Sequence, residues 1–415
     1  MEVLRIATSG SVDDGKSTLI GRLLYDTNSI PQDKMEALHA ASKRKGLDFT
    51  DLSLLTDGLV AEREQGITID VAHIYFSTPT RKYIIADTPG HIEYTRNMVT
   101  GASNAQVSLI LIDARRGIVE QTHRHFFIAN LLRIPYLLVC VNKMDLVEYS
   151  EARFNQIMED FQQLLDNAAF KGQEIKFIPI SSLYGENVAS RTGAINWYKG
   201  DTLLEYLERI TFDHEDRNHP ARFPIQSVIR PRTTEHHDFR GFAGKVASGH
   251  FTVGDEVISL PSGQKSKIKT IEQFESQLTV ANARESVIIT LEDEIDSSRG
   301  NMLVKTNELP EQRKEIAAYI CWMDQQKLTT GKTYLLQHGI NRVKAKVQQI
   351  QFVTDVTNHL QTADKNEMSL NDIGKISIKT AQPVFADSYH ENPANGAFIL
   401  IDEFNNTTVA VGFID

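Results

Sequence analysis

The sequence predicts an α/β domain with a doubly wound parallel sheet, followed by two antiparallel β-barrels. Three observations carry this reading. Residues 1 to about 212 alternate short Ile-, Val- and Leu-rich runs with helical patterns, as a parallel sheet covered by helices on both faces requires. The glycine-containing stretch Gly10-Ser11-Val12-Asp13-Asp14-Gly15-Lys16-Ser17 sits between the first such run and the first helical pattern. Beyond the polar segment Phe212 to Pro220 the apolar runs become short and are separated by turn signals such as Gly254-Asp255 and Pro261-Ser262-Gly263, the pattern of small antiparallel barrels.

Taken in order, Leu4–Thr8, Tyr83–Ala86, Val107–Ile112, Leu137–Val141 and Ile175–Ile180 read as buried strands. Between them, Pro31 to Lys45 reads as an amphipathic helix with Met35, Leu38 and Ala41 inward. Glu151 to Phe170 is the clearest helix: Phe154, Ile157, Met158, Phe161, Leu164 and Leu165 share one face, and Ser150 stands at the N-cap position. His123 and His125, flanking Arg124, read as part of a helix face. The expected domains are residues 1–212, 219–310 and 311–415, with the second boundary near Leu309-Pro310. No internal repeat and no low-complexity tract is visible.

The chemistry begins at Gly10–Ser17. Two glycines separated by four residues, then Lys and Ser, placed after a strand and opening a helix, form a loop whose backbone N–H groups wrap phosphate oxygens. Lys16 is expected to reach the β- and γ-phosphates and the Ser17 hydroxyl to ligate Mg²⁺, with Thr18 following in the helix. Four further segments fit a nucleotide switch. Thr68, in Glu62-Arg63-Glu64-Gln65-Gly66-Ile67-Thr68-Ile69-Asp70, can bind Mg²⁺ through its hydroxyl and the γ-phosphate through its N–H. Asp87-Thr88-Pro89-Gly90-His91 follows a strand, so Asp87 can hold Mg²⁺ through water and Gly90 can offer its N–H to the γ-phosphate. In Asn142-Lys143-Met144-Asp145 the Asp145 carboxylate can accept from guanine N1–H and the 2-amino group, which selects GTP over ATP. Asn142 would brace the loops and the Lys143 stem would lie on the base. Ser181-Ser182-Leu183 can offer a backbone N–H to guanine O6, although a Ser pair alone usually only caps or turns a chain. The order Ser17, Thr68, Asp87, Asn142, Ser181, each element after a strand, defines a P-loop GTPase domain.

Composition sets the limits. The chain has 415 residues, 41% of them hydrophobic and 24% charged, and a formal net charge of −10. That charge argues against a nucleic-acid partner and leaves room only for a local basic patch. The two cysteines, Cys140 and Cys321, lie singly in apolar stretches, which suits a reducing cytoplasm. No signal peptide pattern is visible, and the most apolar region, Leu131 to Val141, is short and contains Arg133 and Pro135, so no membrane span is expected.

The first 212 residues resemble the GTPase domain of translation factors close to elongation factor Tu; Met144 in Asn-Lys-Met-Asp and His91 after Asp-Thr-Pro-Gly are shared with that class. The resemblance implies that His91 positions the attacking water, which makes His91, Thr68 and Lys16 the expected catalytic residues. Asp13 is similar to a residue that in some relatives helps hold a monovalent cation, K⁺, near the phosphates. The resemblance sharpens over the whole chain. Ser11 to Leu24, Ile112 to Thr122, Phe239 to Gly249, Asp293-Glu294-Ile295-Asp296 with Ser298-Arg299-Gly300, Trp322-Met323-Asp324 and Gly396 to Asp402 are similar to the GTPase subunits of bacterial sulfate adenylyltransferases. That family implies a smaller catalytic partner subunit, and ATP and sulfate as substrates of the complex. Ser182 stands where the family has Ala, and Ile92-Glu93 follows His91 where Glu-Gln is usual. Some relatives carry a fused adenylylsulfate kinase. Gly331-Lys332-Thr333 lacks a glycine five residues earlier, where Gln326 stands, so that activity is expected to be absent. The rival reading is a translation factor delivering aminoacyl-tRNA, which would need a basic groove on the barrels and salt-sensitive RNA binding.

Overall fold

The computed structural model describes residues 3–44, 46, 50–55, 71–88, 95–166, 168, 170–211, 218–231, 239–274, 276–355, 361–363 and 365–415. The chain folds as two compact units that divide after Thr211.

The first unit is built on a six-stranded sheet: β1 (Val3–Ser9), β2 (Ala72–Ser77), β3 (Lys82–Asp87), β4 (Val107–Asp113), β5 (Tyr136–Asn142) and β6 (Glu174–Pro179), in the order β2-β3-β1-β4-β5-β6. All neighbours are parallel except β2, which runs antiparallel to β3 at the edge. Every residue of β4 is buried, as expected of a strand covered on both faces. The register pairs Thr8 with Asp87 and Asp113 with Asn142. It thereby gathers four chain segments at one carboxyl edge of the sheet, where open α/β sheets place their ligands.

The helix Lys16–Asp26 follows β1 directly and buries Leu19, Ile20 and Leu23. The helix Gln32–Arg44 buries Leu38 and Ser42, with Met35 and Ala41 half-buried. Glu151–Asp166 buries Phe154, Ile157, Phe161 and Leu164, and Arg153 N–H donates to the Ser150 hydroxyl at its start (3.3 Å). This helix stops four residues before the expected Phe170, because Phe170 is drawn away: its N–H donates to Asn130 Oδ1 (3.0 Å) and its carbonyl accepts from Asn130 Nδ2 (2.8 Å).

The second unit contains two closed six-stranded barrels. In the first, Glu256–Leu260, Met302–Lys305, Arg222–Ile229, Gly241–Lys245, Ser286–Leu291 and Gln264–Gln273 pair in turn, and Gln264–Gln273 returns to Glu256–Leu260. In the second, Thr333–His338, Ala397–Ile401, Thr408–Ile414, Glu311–Trp322, Ile373–Ala386 and Asn341–Thr354 do the same, closing on Thr333–His338. Closure removes the sheet edges. The first barrel packs Phe223, Phe242 and Phe251 inside and the second Trp322 against Tyr334, with ring centroids 5.7 Å apart. Cys140 and Cys321 are buried and form no disulfide. Among the described residues, no helix is long and apolar enough to cross a membrane.

Candidate guanine-nucleotide site

The loop after β1 is shaped by two glycines for different reasons. A Cβ on Gly10 would lie 3.1 Å from Leu111 Cβ, so Gly10 lets the loop lie against β4. Gly15 has φ +95°, and a Cβ there would lie 2.5 Å from Asn142 Nδ2. Asp13 also adopts a left-handed φ of 69°. The loop closes on itself: Asp14 N–H donates to the Ser11 carbonyl (3.1 Å), and Ser11 N–H donates to the Asp14 carboxylate (2.6 Å). The N–H groups of Asp13, Gly15, Lys16, Ser17 and Thr18 have no protein acceptor among the described residues, and Gly15 caps the helix without a side-chain bond. These are the free donors of a helix N-terminus, the arrangement that binds phosphate. Lys16 is buried beside them. Burial pushes the Asp14 carboxyl up to about 6, against the pull of its Ser11 bond.

Asp87, at the end of β3, is buried and accepts from the Thr8 hydroxyl (3.0 Å). Thr88 is buried and donates its hydroxyl to the Thr8 carbonyl (2.6 Å). The start of the Asp87–His91 turn is thus tied to the strand that feeds the phosphate loop. Pro89, Gly90, His91 and Thr68 lie outside the described residues.

At the end of β5, Asn142 donates its Nδ2–H to the Asp14 carbonyl (2.8 Å), and its Oδ1 accepts from both Ser182 N–H (3.0 Å) and Ser182 Oγ–H (2.9 Å). Its side chain therefore joins the phosphate loop to the loop after β6. Lys143 takes a left-handed φ of 60°. Its ammonium reaches Asp113 Oδ2 (3.0 Å) and the Asp13 carbonyl. Burial would raise the Asp113 carboxyl, but bonds from Arg115 and Lys143 outweigh it and hold it at about 2, so Asp113 remains a carboxylate anchoring the Lys143 stem. Asp145 accepts from the Ser181 hydroxyl (2.6 Å), which fixes the carboxylate beside the Ser181–Leu183 loop.

Within that loop, Ser181 N–H donates to the Glu186 carbonyl, Tyr184 N–H to Ser181 Oγ and Gly185 N–H to the Ser181 carbonyl. With Ser182 N–H held by Asn142, Leu183 N–H is left without a partner among the described residues.

The structure brings together Gly10 to Thr18, Asp87, Thr88, Asn142, Lys143, Asp145 and Ser181 to Leu183. It also adds residues that sequence motifs did not single out as functional: Asp113, Arg22 and Glu186. Asp113 ends a buried strand just as Asp87 does, and that position was its signal. Glu186 is buried and accepts from the N–H groups of Thr192 (2.9 Å) and Ala194 (3.2 Å), fixing the chain beyond the Ser181 loop. His125, on the helix Glu120–Leu131, is buried. Burial first, then the positive charges of Lys16 and Arg124, pushes its imidazole down to about 3 and keeps it neutral.

A free N–H cradle, a buried lysine, and a carboxylate fixed beside an amide with no partner among the described residues define a P-loop nucleotide-binding protein. Comparison with known proteins agrees. The elongation factor Tu GTP-binding domain family matches residues 1–213, and the GTP-eEF1A C-terminal domain-like family matches residues 315–415. Sulfate adenylyltransferase subunit 1 of Aliivibrio fischeri (strain MJ11) is 48% identical over 414 residues, covering 99% of this chain and 86% of that protein. Its counterpart in Bacteroides fragilis (strain YCH46) is 46% identical over 415 residues, covering 100% and 86%. The bifunctional enzyme CysN/CysC of Mycobacterium tuberculosis (strain ATCC 25618 / H37Rv) is 46% identical over 413 residues, covering 99% and 67%. The chain belongs to the sulfate adenylyltransferase subunit 1 family, the GTPase subunits of a nucleotidyltransferase, and its first domain is of the elongation factor Tu type.

Proposed function

We propose that this chain hydrolyses GTP and that the cycle drives formation of adenylyl sulfate and pyrophosphate from ATP and sulfate on a smaller catalytic subunit, in the cytoplasm. Making a mixed sulfate–phosphate anhydride is strongly uphill, so coupling it to a two-state GTP switch can shift the yield. The observation that carries the nucleotide assignment is the Asn142 side chain, which joins the free N–H cradle at Gly15–Thr18 to the loop where Asp145 and Ser181 are bonded.

In this reading the cradle and Lys16 hold the phosphates, and Ser17, Thr68 and Asp87 hold Mg²⁺, Asp87 through water. When bound, Mg²⁺ neutralises charge on the β- and γ-phosphates. Asp13 is the proposed neighbour of a K⁺ ion. Asp145 accepts from guanine N1–H and the 2-amino group. Leu183 N–H donates to O6, in a loop that Ser181 and Ser182 shape. Thr68 and Gly90 sense the γ-phosphate, and His91 positions the water. The proposed domains are 1–212, 219–310 and 311–415, the last two supported by the closed barrels.

The test is reconstitution. Each subunit is assayed singly and together, following pyrophosphate and GDP in parallel. This chain alone should hydrolyse GTP slowly and make no adenylyl sulfate. The mixture should do both faster, and Thr68→Ala should weaken both gains together. Adenylyl sulfate made by this chain alone, or a mixture whose yield ignores GTP, would overturn the proposal. Salt-sensitive RNA binding would point instead to a translation-factor role.

A further inference from the structure

Arg22 connects the two ends of the nucleotide site through a single helix. It lies on Lys16–Asp26, six residues after Lys16, or about 9 Å along the axis. Its guanidinium is not directed at the phosphate loop. Nε donates to the Ser182 carbonyl (3.3 Å) and Nη2 to the Leu183 carbonyl (2.5 Å), while Nη1 pairs with Asp26 (3.4 Å). The same group lies 5.3 Å from the centroid of the Tyr25 ring. Gly185, at φ +79°, takes the left-handed conformation that glycine adopts without strain, at the turn that carries the loop past Arg22. Arg22 and Asp26 are half-buried, each with 18% of the side chain exposed. The i,i+4 pair lies within the helix and does not touch the loop, so the two carbonyl bonds are the substance of the contact.

Those bonds have a directional consequence. In a trans peptide the C=O and the following N–H point opposite ways. Holding the Ser182 carbonyl against the helix therefore turns Leu183 N–H away from it, and Leu183 N–H is the amide of the Ser181–Gly185 loop that has no protein acceptor among the described residues. We propose that Arg22 is a positioning residue for purine selection: it clamps the Ser182 and Leu183 carbonyls so that Leu183 N–H is held toward a 6-oxo group, in register with the phosphate loop at the other end of the same helix. This rests on the GTP-site reading above. Lysine could not replace it fully, because one ammonium does not reproduce a planar fork spanning two carbonyls.

The probe pair is GTP and 6-thioguanosine triphosphate, which share the N1–H and 2-amino donors but differ in the strength of the acceptor at position 6. Affinities are measured on the full chain by displacement of a fluorescent guanine nucleotide, with ATP as the reference for base choice. The parent should favour GTP over the thio analogue. In Arg22→Ala that ratio should fall by about three- to tenfold toward one, the worth of one hydrogen bond, with Arg22→Lys in between. A structural role alone would weaken both nucleotides equally. An unchanged ratio, or an equal loss for both, in a folded Arg22→Ala overturns the inference. Should Arg22→Ala not fold, an unchanged ratio in Arg22→Lys does the same. A parent that does not prefer GTP to ATP overturns the GTP-site reading itself, so the two failures are distinguishable.

Discussion

At Asn142 one side-chain amide does what two loops separately could not. It reaches the Asp14 carbonyl only because Gly15 has no side chain there, so the second glycine of the phosphate loop answers to the base side of the site as well as to the phosphate side. Asp145 is the residue that should read the base. Asp145→Asn should move preference from GTP toward xanthosine triphosphate, because an amide can donate to the xanthine oxygen where the carboxylate can only accept. Competition between the two nucleotides checks this, and unchanged guanine preference contradicts the role. Asp14 makes a prediction about pH. Its folded-state value, about 6, lies above the ordinary 3.8, so the fold favours the protonated acid. That contribution is full below about 3.8 and is lost as pH rises through about 6. Asp14→Asn keeps an acceptor for Ser11 N–H and removes the charge. It should flatten stability across this window and exceed the parent above pH 6, by an amount on the order of 3 kcal/mol. Urea titrations at pH 4, 5, 6 and 7.5 measure it, and parallel pH profiles for the two proteins would refute it.

Elements differ in how plainly the chain announces them. β3, β4 and β5 are legible because burial makes them continuous apolar runs, and β1 and β6 because Arg5 and Lys176 are single interruptions in theirs. β2 was not: its burial alternates, with Tyr75 66% exposed, and an edge strand with one wet face looks like a loop. The end of Glu151–Asp166 departs from the sequence pattern because the Asn130 amide captures Phe170 from 40 residues away, a tertiary bond no local pattern records. The site divides the same way. Lys16, Asn142 and Asp145 sit in short motifs and could be read directly. The Arg22 clamp joins residues 160 apart in sequence, and only the folded helix reveals it. Gly21 shows an element-scale constraint of the same kind. A Cβ there would lie 2.3 Å from the Leu52 carbonyl oxygen and 2.8 Å from Leu52 Cβ, so the 3₁₀ turn Leu52–Leu55 packs directly on the helix. Gly21→Ala gains about 1 kcal/mol of helix propensity, yet backbone must move to admit the methyl. The net expectation is destabilisation of about 1–2 kcal/mol. A raised melting temperature in calorimetry would mean the turn yields freely.

Across the whole molecule, the barrel unit is joined through charge as well as apolar packing. Arg222, on the first barrel, is 1% exposed and forms a two-point contact with Asp387 of the second: Nε to Oδ2 at 2.9 Å and Nη2 to Oδ1 at 2.8 Å. Nη1 donates to the Ala221 and Glu308 carbonyls, and the Asp387 carboxylate also accepts from the side-chain amides of Asn392 and Asn395. Asn392 reaches back to the Ser248 hydroxyl of the first barrel (2.9 Å), and His338 Nε2 lies 2.8 Å from the Asn395 carbonyl. Asn392 Oδ1 is buried with no hydrogen-bond partner among the described residues, while Arg222 Nε, Nη1 and Nη2 each meet an acceptor, as a buried ion pair requires. Its net contribution to stability can still be small, since desolvating both charges offsets their attraction. Removing one partner is a different matter, because the other charge then stays buried and unpaired. Asp387→Ala should therefore lose about 3–5 kcal/mol and detach the barrels' unfolding from each other, turning one calorimetric transition of the barrel unit into two. Arg222→Met combined with Asp387→Leu, which removes both charges and keeps bulk, should lose clearly less than Asp387→Ala alone. If the double variant is the less stable of the two, the pair holds the barrels together by attraction rather than by the cost of breaking it.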